Sequence, residues 1–314
     1  MTTATTIAVA VQGGGAHGAL AWGVLDRLLE DGLAIDRLCG VSSGALTAAM
    51  LAQGLARGGG LARGGGVARA GGAEARRAMR TLWERIDAIH TFSPLRGPLL
   101  ERWLFGTDIG ASLAWQVSQT ALGLFGAAPL NPLGANPLRP LVAELLDAKS
   151  LTGTPALSIA ATDVETGEAC LWHDADISVE KLLASCCLPL VMPPCEIEER
   201  IYWDGGFSGN PPLAPLLQPA PPDILIVVRA QPRVRRDIGT NPIETLVRLA
   251  EIAGERVLAT ELAALPSTVR MIELGADAAL AGLPFSSKFT PEEGLIPRLF
   301  ARGRAIATGI AASL

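Results

Sequence analysis

The segment Gly40-Val41-Ser42-Ser43-Gly44 places a serine between two glycines in the form G-x-S-x-G. It lies where an apolar run, Ile35 to Val41, gives way to the helical spacing of Ala45 to Ala52. A strand bending sharply into a helix there would push the Ser42 hydroxyl out of a sheet, and the flanking glycines would let neighbouring elements approach the bend. The helix beginning near Ser43 would aim its N-terminal amides and positive dipole end at the reacting centre. Such turns also serve packing alone, so the pattern by itself leaves both readings open.

Two further segments bear on the choice. Gly13-Gly14-Gly15-Ala16-His17-Gly18 follows the short run Ile7 to Val11. Successive glycine amides form a concave nest for negative charge, and in acyl transfer that charge is the oxyanion of a tetrahedral intermediate. A Walker loop would close on Gly-Lys-Ser/Thr, which is absent. A dinucleotide fold would place a ribose-reading acid about 20 residues on, where this chain has its G-x-S-x-G segment. The third segment, Tyr202-Trp203-Asp204-Gly205-Gly206-Phe207, carries an aspartate into a glycine turn. There Asp204 is either a turn residue or a functional carboxylate.

A serine nucleophile needs a base. The histidines are His17, His90 and His173. The α/β-hydrolase order of serine, acid, histidine would have to use His173, inside an expected hairpin. Asp204 acting directly on Ser42 is the economical alternative. Its ordinary pKa near 3.9 leaves it ionised but a weak match to a hydroxyl, so close hydrogen bonding and oxyanion stabilisation must supply the rest. Asp163 reads as a hairpin-turn carboxylate. Cys39 reads as a small buried residue, and Cys186 and Cys187 as helix packing.

The elements that position these residues alternate. Strands are expected at 7–11, 35–41, 156–162 and 224–228, with helices at 19–30, 45–52, 73–88, 140–148, 243–265 and 291–314. Hairpins are expected at 156–172 and around 196–203. Ser178 reads as the N-cap of a helix running to Cys187. Such alternation implies a parallel sheet with helices on its faces. Residues 55–72 repeat as LARGGG, LARGGG, VARAGG and read as a mobile surface loop within one domain spanning 1–314.

Bulk properties narrow the class. Hydrophobic content of 49% with 18% charge is globular. The net charge of −5 argues against a nucleic-acid partner. Five cysteines without metal spacing, and an N-terminus without a basic stretch or a long apolar core, point to reduced thiols in a cytoplasmic protein. The six tryptophans read as core or rim packing. The uncharged stretch 109–138 is broken by three prolines and makes a poor membrane span. With 99–105, it is expected to border an acyl-chain pocket or touch a membrane surface.

In this order the three motifs resemble the patatin-like phospholipase family, from QGGGAHGALAWGVLDRLLEDG at Gln12 through ASCCLPLVMPP to YWDGGFSGNPPL at Tyr202. The resemblance implies a three-layer α/β/α sandwich with a central, mostly parallel sheet. It also implies a Ser42–Asp204 dyad, an oxyanion hole at Gly13, Gly14 and Gly15, and lipid acyl hydrolysis without metal or cofactor. His17 stands where many members carry arginine, and Ser43 where alanine is common. The expected substrate is a lipid or other acyl ester, met with or without peripheral membrane contact. A short-chain esterase of soluble esters and a non-catalytic lipid-binding or scaffold module are the competing readings. Oligomeric state is not legible.

Overall fold

A computed structural model describes residues 5–59, 67–91, 136–151, 153, 155–189, 192, 194–235, 242–289 and 291–314. The chain opens with strand β1 (Ile7–Val11), helix α1 (Ala19–Glu30), strand β2 (Arg37–Val41) and helices α2 (Ser43–Arg57) and α3 (Val67–Thr91). Helix α4 (Leu138–Leu145) precedes β3 (Ala156–Asp163), β4 (Ala169–His173), helix α5 (Val179–Ser185), β5 (Cys195–Ile197) and β6 (Arg200–Asp204). Then follow β7 (Ile224–Val228), α6 (Pro242–Ala263), β8 (Arg270–Leu274), α7 (Asp277–Ala281) and α8 (Leu295–Ala307).

These strands form one sheet in the order β5-β6-β3-β2-β1-β7-β8, with β4 also paired to β3. Neighbouring pairs among β3, β2, β1, β7 and β8 are parallel, whereas β4, β5 and β6 run antiparallel to their partners. β1 is central and wholly buried, as expected of an apolar strand in a parallel sheet covered on both faces.

Its alternation divides the core in two. Ile7, Val9 and Val11 pack with residues of α1, α2, α3 and α8. Ala8 and Ala10 face the other way, toward Leu213, Leu216 and Leu258. The result is the mostly parallel α/β/α sandwich expected.

The sequence reading needs corrections at the edges. The repeat at 55–72 is not a loop throughout: residues 55–57 complete α2 and 67–72 begin α3. Alanine, leucine and arginine favour helix, and packing overrides the glycine cost; a Cβ on Gly54 would lie 2.3 Å from the Ala75 Cα. Residues 60–66 lie outside the described residues, as do 99–105 and 109–135.

α5 stops at Ser185, with Ser178 capping it by accepting the Lys181 N–H. α8 begins at Leu295, after Gly294 at φ 78°. β8 was not anticipated. Its Arg270 and Glu273 hide the apolar pattern of a short strand at the sheet edge.

Candidate active site

β2 ends at Val41, and the chain turns at once into α2. Ser42 sits on that turn with φ 56° and ψ −129°, a backbone region that costs a non-glycine residue on the order of 1–3 kcal/mol. The surrounding contacts hold it there. A Cβ on Gly44 would lie 2.4 Å from the Val11 carbonyl oxygen, and one on Gly40 would lie 2.6 Å from that of Gly44. Both glycines of G-x-S-x-G are therefore required for close approach, as the spacing implied.

Ser185, at the end of α5, fixes the turn from the side. Its hydroxyl donates to the Ala160 carbonyl at 2.7 Å and accepts the Ser42 N–H at 3.0 Å.

Asp204 reaches the same place by strand register. Val41 pairs with Ala160 of β3, and Asp204 pairs with Ala161. The last residue of β2 and the last of β6 are thus set against consecutive residues of one strand. The following Gly205 fits tightly: a Cβ there would lie 2.3 Å from the Ala160 oxygen and 3.1 Å from Cγ1 of Val41.

The Asp204 carboxylate accepts the Gly206 N–H at 2.8 Å and lines the same cavity as Ser42. It is 5% exposed. Burial pushes its pKa up to about 6, against the opposing pull of the Ser42 hydroxyl, the Gly206 N–H and the Lys288 charge. The poor match of an ordinary aspartate to serine chemistry is thereby reduced.

The Cys186 thiol lies near Ser42, while the Cys187 carbonyl accepts the Asp204 N–H at 2.7 Å. Both residues have left α5, so reading them as helix packing is corrected. Burial pushes the Cys186 thiol well up and that of Cys187 up to about 12. Cys39 is buried, as expected.

Gly13, Gly14 and Gly15 line a small, solvent-open cavity of about 50 Å³ together with Ser42, Asp204, Asn210 and Lys288. Their amides are not equivalent. Gly13 donates to Asn210 Oδ1 at 2.7 Å, and Asn210 Nδ2 returns a bond to the Gly13 carbonyl at 3.2 Å. Gly14 donates to the Ser43 hydroxyl at 3.1 Å. The Gly15 amide is not engaged by another group among the described residues. Asn210, Ser185 and Ser43 are site residues that the sequence reading did not single out for these roles.

The other candidate bases lie elsewhere. His173 is on β4, with Nδ1 2.9 Å from the Ser158 hydroxyl. His17 Nε2 lies 2.8 Å from Ser287 Oγ, whose single proton goes to the Pro284 carbonyl at 2.6 Å. Nε2 therefore carries the donated proton. Nδ1 is buried without a hydrogen-bond partner, and burial, then Lys288 and Arg235, lower the ring's pKa well below its usual value. Asp163 accepts the Glu165 and Thr166 amides and pairs with Arg200, as a turn carboxylate should. The His90 side chain lies outside the described residues.

A strained serine at a strand-to-helix turn over a mostly parallel sheet, with a glycine loop beside it, is the kind of geometry in which α/β hydrolases carry a nucleophile. The family model described as patatin-like phospholipase matches residues 9–217, and the chain belongs to that family. Membership implies lipid acyl hydrolase chemistry. Among solved structures, that of VipD from Legionella pneumophila is similar over 98% of this chain and 67% of that one, at 14% identity and a TM-score of 0.44. No match was found among curated proteins. Among the described residues no helix is long and apolar enough to cross a membrane, and no cluster of three metal-ligating side chains occurs.

Proposed function

We propose that the chain is a serine lipid acyl hydrolase working through Ser42 and Asp204. The observation that carries this reading is the convergence of a conformationally strained Ser42 and a buried Asp204, whose pKa stands near 6, on one cavity beside the glycine loop. Asp204 takes the hydroxyl proton as Ser42 Oγ attacks the ester carbonyl. The tetrahedral oxyanion is held by the Gly15 amide and by that of Gly14, which exchanges its bond to Ser43. Gly13, engaged by Asn210, keeps the loop in place rather than binding the oxyanion.

Collapse of the intermediate breaks the bond to the alcohol, which leaves with the proton from Asp204. Water then attacks acyl-Ser42, again losing its proton to Asp204, and the fatty acid departs as the Ser42 hydroxyl is restored. No step calls for a metal or cofactor. A cytoplasmic setting with access to membrane lipid fits this reading.

Purified protein is to be assayed on phospholipid vesicles and on nitrophenyl esters of increasing chain length. Release of fatty acid from vesicles, preference for long chains and loss of both in Ser42→Ala are expected. Turnover restricted to short soluble esters would instead define a carboxylesterase, and the absence of any turnover a binding module.

A further inference from the structure

The wall of the cavity away from the serine turn contains a buried cation. Lys288 is 3% exposed, lines the cavity with Ser42 and Asp204, and donates to Glu251 of α6. A buried ammonium costs several kcal/mol in lost hydration even when paired, so an apolar residue would serve packing more cheaply. Its placement is supported from three sides.

α6 touches the Asp204 turn directly: a Cβ on Gly254 would lie 2.6 Å from the Gly206 carbonyl oxygen. Glu251, one helical turn earlier, also lines the cavity. The short segment bearing Lys288 packs on the glycine loop, where a Cβ on Gly15 would lie 2.4 Å from the Lys288 carbonyl oxygen. His17 from the same loop donates to Ser287, the preceding residue. That bond gives a role to a histidine which has no part in the serine chemistry.

We propose that Lys288, seated by His17 and Glu251, is an electrostatic positioning residue that keeps Asp204 ionised and ready to accept the Ser42 proton. This rests on the Ser42–Asp204 reading above. The ionisable groups near Asp204 are Lys288 and the Cys186 and Cys187 thiols. Burial keeps both thiols protonated across the neutral range. Around Lys288 stand Glu251 and Arg235, with Arg248 also bonded to Glu251 and the neutral His17 alongside. Burial lowers the Lys288 pKa, and Glu251 opposes that shift.

The test is the pH dependence of fluorophosphonate labelling in the native chain, Lys288→Met, Lys288→Arg and Glu251→Gln, each checked for folding by thermal melting. In Lys288→Met the acid limb is expected to move up by about 0.5–1 unit, a roughly 2–6-fold loss at pH 6 with the rate recovered at pH 8. Lys288→Arg keeps the native limb, and folded Glu251→Gln moves it up as Lys288→Met does, because the buried ammonium loses the carboxylate that seats it and holds its charge.

A packing role would lower the rate equally at every pH. An unmoved limb in folded Lys288→Met overturns the proposal. If that variant does not fold, a shifted limb in folded Lys288→Arg overturns it instead. A native chain not labelled at Ser42 would overturn the Ser42–Asp204 reading itself, and this inference with it.

Discussion

Val41 and Asp204, 163 positions apart in the chain, are registered against neighbouring residues of β3, Val41 opposite Ala160 and Asp204 opposite Ala161. Sheet register thus delivers the carboxylate to the turn that follows Val41. Ser185 ties the same two strands together, since it bonds both the Ala160 carbonyl and the Ser42 amide.

Removing that tie is expected to be costly for catalysis. Ser185→Ala leaves a buried amide and a buried carbonyl without their partner, worth roughly 1–3 kcal/mol of stability. Because Ser42 loses its anchor, kcat on a soluble ester should fall about 10–100-fold with KM little changed. Steady-state kinetics on folded protein, alongside denaturant melts, measures both.

The strain at Ser42 should be visible in stability. Glycine accepts φ 56° without a Cβ penalty, so Ser42→Gly is expected to melt above Ser42→Ala by a margin equivalent to about 1 kcal/mol. Equal melting temperatures would mean that the turn is not strained.

Asp204 carries an opposite balance of stability and activity. Its folded pKa, about 6, lies above the ordinary 3.8, so the folded state holds this proton more tightly than the unfolded chain. The stabilisation from that proton is complete below pH 4 and is lost as pH rises through about 6. Asp204→Asn should therefore be more stable than the native chain at pH 7–8, by roughly 1–3 kcal/mol, while losing its hydrolytic rate. In the native enzyme kcat/KM should fall tenfold per unit below about pH 6, since the carboxylate must be ionised to act as base.

Gly44→Ala tests the close approach at the turn. The added methyl meets the Val11 carbonyl at 2.4 Å, and a loss of about 1–3 kcal/mol or more is expected from overpacking. Circular dichroism melts of Gly44→Ala against Gly32→Ala are informative, because Gly32, although at φ 84°, has open space around its Cα.

Much of this was legible because local signals agreed with the fold. The run Ile7–Val11 and the run Ile224–Val228 are strands to the residue, since an all-apolar pentapeptide bounded by turn residues has few alternatives. G-x-S-x-G exposed the serine turn through steric requirements that only glycine meets.

What was hidden depends on contacts distant in sequence. Nothing local tells that Asn210 occupies the Gly13 amide or that Ser185 bridges two strands. The altered pKa of Asp204 arises from burial, which a motif does not disclose. The repeat at 55–72 misled because its glycines suggested a loop, whereas the packing of α2 on α3 carries helix into both of its ends.

The most direct measurement is intact-protein and peptide mass spectrometry after treatment with a fluorophosphonate. One adduct per chain, on Ser42, formed quickly in the native protein and lost in both Ser42→Ala and Asp204→Asn, is the expected result. An adduct on another residue, or undiminished labelling of Ser42 in folded Asp204→Asn, would contradict a Ser42 nucleophile activated by Asp204.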